Sequence, residues 1–281
     1  PRLDDFDKIT TIKKGQKIMR YLSVLLITLF TSTLLQAQEA QMRSEFVYCS
    51  LNPEKTMADV RAQSQRYGEF SKAKGTKYAQ AIMTPMHSGD TSGYDYILWG
   101  TWPDGEAMYN EWGSYANDYA DWMAENSEGE PAGPASNCTR SVATIDSLVS
   151  RVSIPAEDRD AKRPVQFSPC SLKDGVSIDQ VYAQAAANKE IMEEGGFKGW
   201  AISYLFPYMG FDGGSEFDFM QVNYWYSFDS RAHMAVNWLD FAAENPSMET
   251  NMNLLVSCEG SNSFVYESTF NNLCKPGGVL R

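Results

Sequence analysis

Four of the five cysteines stand at matched separations: Cys49 and Cys138 are 89 apart, Cys170 and Cys258 are 88 apart. Pairing in an oxidising compartment would make two disulfides, each closing a long loop and contributing on the order of 4 kcal/mol. The alternative is four reduced core thiols. Cys274 is the odd one, in a Lys275-Pro276-Gly277-Gly278 tail, free or paired between chains. Metal chemistry fits poorly, because there is no CxxC or HExxH and the histidines number two, His87 and His233. There is no nucleophile elbow, phosphate-cradling glycine loop or Ser/His/Asp arrangement, and no cofactor is implied.

Polar side chains on otherwise apolar helical stripes carry more information. The stripe of Met57, Val60 and Tyr67 also holds Arg61 and Ser64; that of Ile178, Val181, Ala185 and Met192 holds Asn188 and Lys189. A polar group aimed at a core is costly unless it is paired or lines a cavity. Either these residues line a cavity, or Arg61 and Lys189 snorkel to the helix edge. Gln221 and Asn223, within a strand pattern, raise the same question. With Tyr67, Trp102, Tyr204 and Trp225 they form the candidate ligand-binding set, suited to a small apolar or aromatic molecule. Core packing is the competing account of the aromatics. His233 falls with Asn237, Asp240 and Glu244 on the narrow polar side of its helix, away from Ala232, Ala235, Val236, Leu239 and Ala243, a stripe that Met234, Trp238 and Phe241 widen. Were the protein an enzyme, His233 and Asn223 would be nearest the chemistry. Met108 stands at the position of His233 in the earlier half of the chain.

These residues belong to a unit that occurs twice. Cys49-Ser50-Leu51 returns as Cys170-Ser171-Leu172, Gly75 as Gly196, Asp95 and Trp102 as Asp218 and Trp225, and Ala124-Glu125-Asn126 as Ala243-Glu244-Asn245. Each copy reads strand, helix, strand, strand, helix, strand. In the first, Phe46–Cys49 is a strand, Thr56–Lys74 a helix stopped by Gly75, and Tyr78–Met86 and Tyr94–Trp102 are strands. A helix then runs from Asp104 to about Glu125, before a strand over Cys138–Ile145. The second gives Val165–Cys170, Ser177–Glu194, Gly199–Tyr208, Phe217–Tyr226, Asp229–Glu244 and Leu255–Glu267. This βαββαβ order is the ferredoxin-like motif, with strand order 4-1-3-2. In that order the end of strand 1 faces the start of strand 4, where the matched cysteines fall. The third strand of each copy is apolar on both faces, so both faces are covered. Helices cover one; the sheet of the sister repeat covers the other. The expectation is α+β, two tandem repeats whose sheets pack into an α+β barrel within one chain. The divisions are a leader over 1–37, repeats over 38–150 and 165–281, and a linker over 151–164.

The leader reads as a signal peptide: Met19-Arg20, an apolar run from Leu22 to Leu35, then Ala37. The protein is then periplasmic or secreted, and no membrane partner remains after cleavage. The chain carries 24 Lys/Arg and 36 Asp/Glu. Without the leader the balance is 18 to 33, a surface that repels nucleic acid and anionic lipid. The remaining partner is a small molecule, with the chain a monomer or homo-oligomer.

Trp102-Pro-Asp-Gly-Glu-Ala107 and Trp225-Tyr-Ser-Phe-Asp-Ser-Arg-Ala-His233 resemble the dimeric α+β barrel superfamily, with the antibiotic-biosynthesis monooxygenase and NIPSNAP-like families nearest. There a strand ends in Trp and the next helix opens with an acid and Ala. The resemblance implies the barrel. For function it implies a range: cofactor-free oxygenases, haem-handling enzymes, isomerases and proteins with no known activity. Three readings follow: a small-molecule binder, a cofactor-independent monooxygenase-like enzyme, and a structural or interaction protein.

Overall fold

A computed structural model describes residues 41–89, 93–126, 133–212 and 216–273; the expected leader and Cys274 lie outside them. Among the described residues nine strands and five helices follow in order. They are β1 (Met42–Leu51), α1 (Met57–Lys74), β2 (Ala79–His87), β3 (Tyr96–Trp102), α2 (Gly105–Asn126) and β4 (Ser136–Val152). Then come β5 (Lys162–Leu172), α3 (Ile178–Glu194), β6 (Trp200–Met209), β7 (Phe219–Trp225), α4 (Phe228–Glu244), α5 (Pro246–Leu255), β8 (Val256–Cys258) and β9 (Asn262–Asn271).

The two repeats start their helices with the same chemistry. Thr56 opens α1 in a capping box with Asp59, and Ser177 opens α3 in one with Gln180. Asp104 caps α2 through its bond from the Ala107 amide (2.8 Å), as Ser227 caps α4 through the Ser230 amide (3.0 Å). The recurring acids are structural. Asp95 accepts from the Leu51 amide and Asp218 from the Leu172 amide, each at 2.7 Å, tying the approach to the third strand to the end of the first.

Every strand pairing is antiparallel, and eight strands close a ring: β7, β6, β4, β1, β3, β2, β9, β5 and back to β7. Each repeat contributes the order 4-1-3-2, and strand 4 of each crosses to the other. β4 lies on β1 through its first half and on β6 from Ala143 to Val152. β9 pairs with both β5 and β2. This crossing is why β4 runs past Ile145, where the sequence pattern stops. It also leaves a short turn, Ala156–Asp158, in the connection to β5. The barrel interior is packed with Phe46, Met83, Ile97, Trp99, Val142, Val165, Leu205, Val222 and Phe264. The disulfide Cys49–Cys138 joins β1 to β4, and Cys170–Cys258 joins β5 to β8, the short first piece of the expected Leu255–Glu267 strand, which the structure splits into β8 and β9.

Two departures from expectation concern the second repeat. Helix α5 precedes the last strand, because Pro246 lacks the N–H that would extend α4 and instead sits in the first turn of a new helix. α4 also buries only one side of the wide apolar face expected for it. Val236 and Leu239 are 78% and 79% exposed, while Met234, Trp238 and Phe241 face the protein. The larger side chains find partners: the Trp225 indole N–H points at Met234 Sδ, 3.3 Å, and Phe241 packs edge-on against Phe197 at 4.7 Å. Gly195 admits Phe241, since a Cβ there would fall 2.3 Å from its ring.

Candidate functional site

Alignment of the two repeats by their helix caps shows where they differ. Thr56 matches Ser177, so Tyr67 corresponds to Asn188 and Ser64 to Ala185. Asp104 matches Ser227, so Trp112 corresponds to Ala235. Met108 then corresponds to Arg231 rather than to His233, a correction that follows from the caps.

In the first repeat the space between helices and sheet is crowded. Tyr67 makes edge contacts with Tyr78 (5.7 Å) and Tyr119 (5.4 Å), and Tyr78 stacks on Trp102 at 4.8 Å. About 450 Å3 remains, bordered by Ser64, Tyr67 and Trp102 among others. Ser64 is held by Gln80 and by Thr269 (2.7 Å). Beside this cluster Glu111 is fully buried, and its carboxylate has no hydrogen-bond partner of good geometry. Burial raises its pKa, against the pull of the Thr76, Tyr67 and Ser71 hydroxyls.

The corresponding space in the second repeat is a chamber of about 740 Å3 between α3, α4, α5 and the outer face of β6 and β7. It opens because Asn188 and Ala235 stand where the sister repeat has tyrosine and tryptophan. Its walls are Trp200, Trp225 and Trp238 with Met192, Met234 and Met248, an adaptable apolar lining. Amide side chains interrupt it. Gln184 donates to Asn188 Oδ1 (2.7 Å), Asn188 Nδ2 donates to the Met248 carbonyl (3.3 Å), and Gln221 Nε2 donates to Asn223 Oδ1 (3.4 Å). The Arg231 guanidinium lies 4.7 Å from the Trp225 ring centre. Burial raises the Tyr204 pKa, so its phenol is neutral.

The structure therefore gathers Asn188, Lys189, Tyr204, Gln221, Asn223 and Trp225 in one chamber, and leaves Ser64, Tyr67 and Trp102 in the sister pocket. Lys189 is engaged by Glu193 at 2.7 Å. Arg61 stands apart: its guanidinium makes a bidentate pair with Glu267 of β9, 2.9 Å on each arm, across the seam between repeats. His233 also stands apart, exposed on α4 with its ring near Phe197 and Asn237. Met234 and Trp238, expected on the widened apolar stripe of α4, were not expected to line a chamber, and Met248 was missed because α5 was not expected. A haem would need a strong axial donor, and the chamber lining offers neither imidazole nor thiolate. These residues do not fit that group. Among the described residues no cluster of His, Cys, Asp and Glu is arranged to hold a metal ion.

What the ring of strands does decide is the architecture, two βαββαβ repeats closing a single barrel. The chain folds as an α+β barrel made of two ferredoxin-like repeats. No family model matches the sequence, and no curated protein matches it. Solved structures similar to this barrel include a chlorite dismutase from Candidatus Nitrospira defluvii in complex with imidazole, at 7% identity and a TM-score of 0.47, covering 83% of this chain and 93% of that one. An anthrone oxidase-like protein shares 10% identity at a TM-score of 0.44, covering 84% and 97%. A haem-binding protein from Thermus thermophilus shares 9% identity at a TM-score of 0.44, covering 80% and 91%.

Proposed function

We propose that the protein binds a small apolar or aromatic molecule in the chamber of the second repeat. The observation that carries this reading is the asymmetry between repeats. At matched positions the first has Tyr67 and Trp112 where the second has Asn188 and Ala235, and the space opens from about 450 to about 740 Å3. Three indole rings and several thioethers supply apolar contact, and Asn188, Gln221 and Asn223 supply orientation. The two disulfides support an oxidising compartment, periplasmic or extracellular. No helix among the described residues is long and apolar enough to cross a membrane. Catalysis on the bound molecule is a second reading. It rests on Gln221 and Asn223, two amides in a mostly apolar wall beside Trp225, and gives His233 no part.

The test fills the chamber as the first repeat fills its own. Titration with 1-aminoanthracene, a neutral fluorescent polycycle, should show saturable binding. The double variant Asn188→Tyr/Ala235→Trp should keep its melting temperature and lose affinity by about tenfold or more. Undiminished binding by a folded double variant would remove the chamber as the site.

A further inference from the structure

A third cavity, of about 280 Å3, opens inside the barrel, with residues from all eight ring strands around it. It is reached from the opposite face of β6 and β7. Its floor is polar. Asp146 of β4 is buried and accepts hydrogen bonds from Ser44 and from Thr144 (2.5 Å), while Ser44 Oγ itself accepts from the Trp99 indole N–H (2.9 Å). Its wall is aromatic: Trp99 stacks on Tyr224 at 5.4 Å and meets Tyr266 edge-on at 5.7 Å.

The rim is cationic. Arg163 lies 5.1 Å from the Tyr266 ring centre, and its Nε is buried with no hydrogen-bond partner. Arg151 lines the same opening, and Arg43, whose Nη1 donates to the Gln41 and Met42 carbonyls, acts on Asp146 from beside it. Two guanidiniums, of Arg163 and Arg151, thus line one opening in a chain of net charge −12. A guanidinium only donates, so an unpartnered buried N–H there calls for an acceptor, and a planar carboxylate matches its geometry.

We propose that this end of the barrel is a separate binding site for a small aromatic carboxylate, held by Arg163 and Arg151 with its ring against Trp99, Tyr224 and Tyr266. Asp146 makes the site sensitive to pH. Burial pushes its carboxyl up to about 6, against the pull of Ser44, Thr144 and Arg43. Above that pH its charge opposes the ligand; below it the charge is gone. The facing groups do not add a titration in this range. Arginines remain charged, and burial raises the Tyr224 and Tyr266 phenols away from it.

The experiment is calorimetric titration of the intact, disulfide-bonded protein with 1-naphthoate. One molecule should bind per chain, about tenfold more weakly at about pH 7.5 than at about pH 5. Asp146→Asn should bind equally at both. Arg163→Gln should weaken binding about tenfold. If that variant loses its native circular dichroism, Arg151→Gln at the exposed rim carries the test with the same expected direction. Occupancy of the chamber by 1-aminoanthracene should be untouched in all three. No binding of naphthoate at either pH, unchanged affinity in the folded arginine variants, or displacement of 1-aminoanthracene by naphthoate would each overturn the proposal.

Discussion

Asp146 carries the sharpest consequence at the scale of single residues. Its pKa rises from 3.8 to about 6 on folding, with burial the main cause. The folded state therefore holds this proton more tightly than the unfolded chain does. The penalty for ionising it is absent below about pH 4, grows as pH rises to about 6, and stays constant above; two units correspond to about 3 kcal/mol. Relative to wild type, Asp146→Asn should gain stability as pH rises through that window and hold the gain at neutral pH. Calorimetric melting of both proteins from about pH 4 to about pH 8 checks this. A difference that does not change with pH would show that the carboxyl is not buried as described. Glu267, lowered by its bond to Arg61, titrates with the opposite sign in both proteins and drops out of the comparison. Asp146 was invisible to sequence patterning because nothing repeats it and the strand pattern stops just before it. Its place after Val142 and Thr144 at every second position was the signal that it faces inward.

At the scale of elements, α4 shows that a helical wheel with a wide apolar face does not say which side of it is buried. Small aliphatics and large aromatics lie on adjacent stripes, and hydrophobicity alone does not rank them. Packing does: Trp238 donates to Glu249 of α5 at 3.1 Å and meets Phe241 and Phe197, whereas Leu239 is largely exposed. Trp238→Ala should cost about 2 kcal/mol and Leu239→Ala no more than about 0.5 kcal/mol, read from urea midpoints. Equal losses would refute the orientation. The helix boundaries themselves were well marked in the sequence, because caps act locally: Thr56, Ser177 and Gly75 stand where the pattern predicts. Asn188 and Ala235, by contrast, became informative only when those caps fixed their counterparts in the sister repeat.

For the whole molecule, the seams matter more than the connection. β4 with β6 and β9 with β2 join the repeats by long antiparallel ladders, while Ser153 to Ala161 contributes no strand. Each disulfide lies within its own repeat, so neither crosses a seam. Cleavage of a protease site inserted in that segment should leave two fragments that co-migrate at the size of the intact protein. They should separate only in denaturant, as one barrel core holds both. Separation under native conditions would mean that the repeats are independent domains.

The sequence by itself determined the repeat, the βαββαβ order, the cysteine partners and the presence of a barrel. Each of these is written in local caps, alternation along strands, or one unit compared with its copy. Only the tertiary structure decided which strand 4 crosses to which sheet, which face α4 buries and where Asp146 ends. It alone showed that one helix–sheet space is crowded and the other open. Those outcomes depend on pairings between residues distant in the chain and on the volume left when side chains of different size compete for the same space, and no single segment contains either.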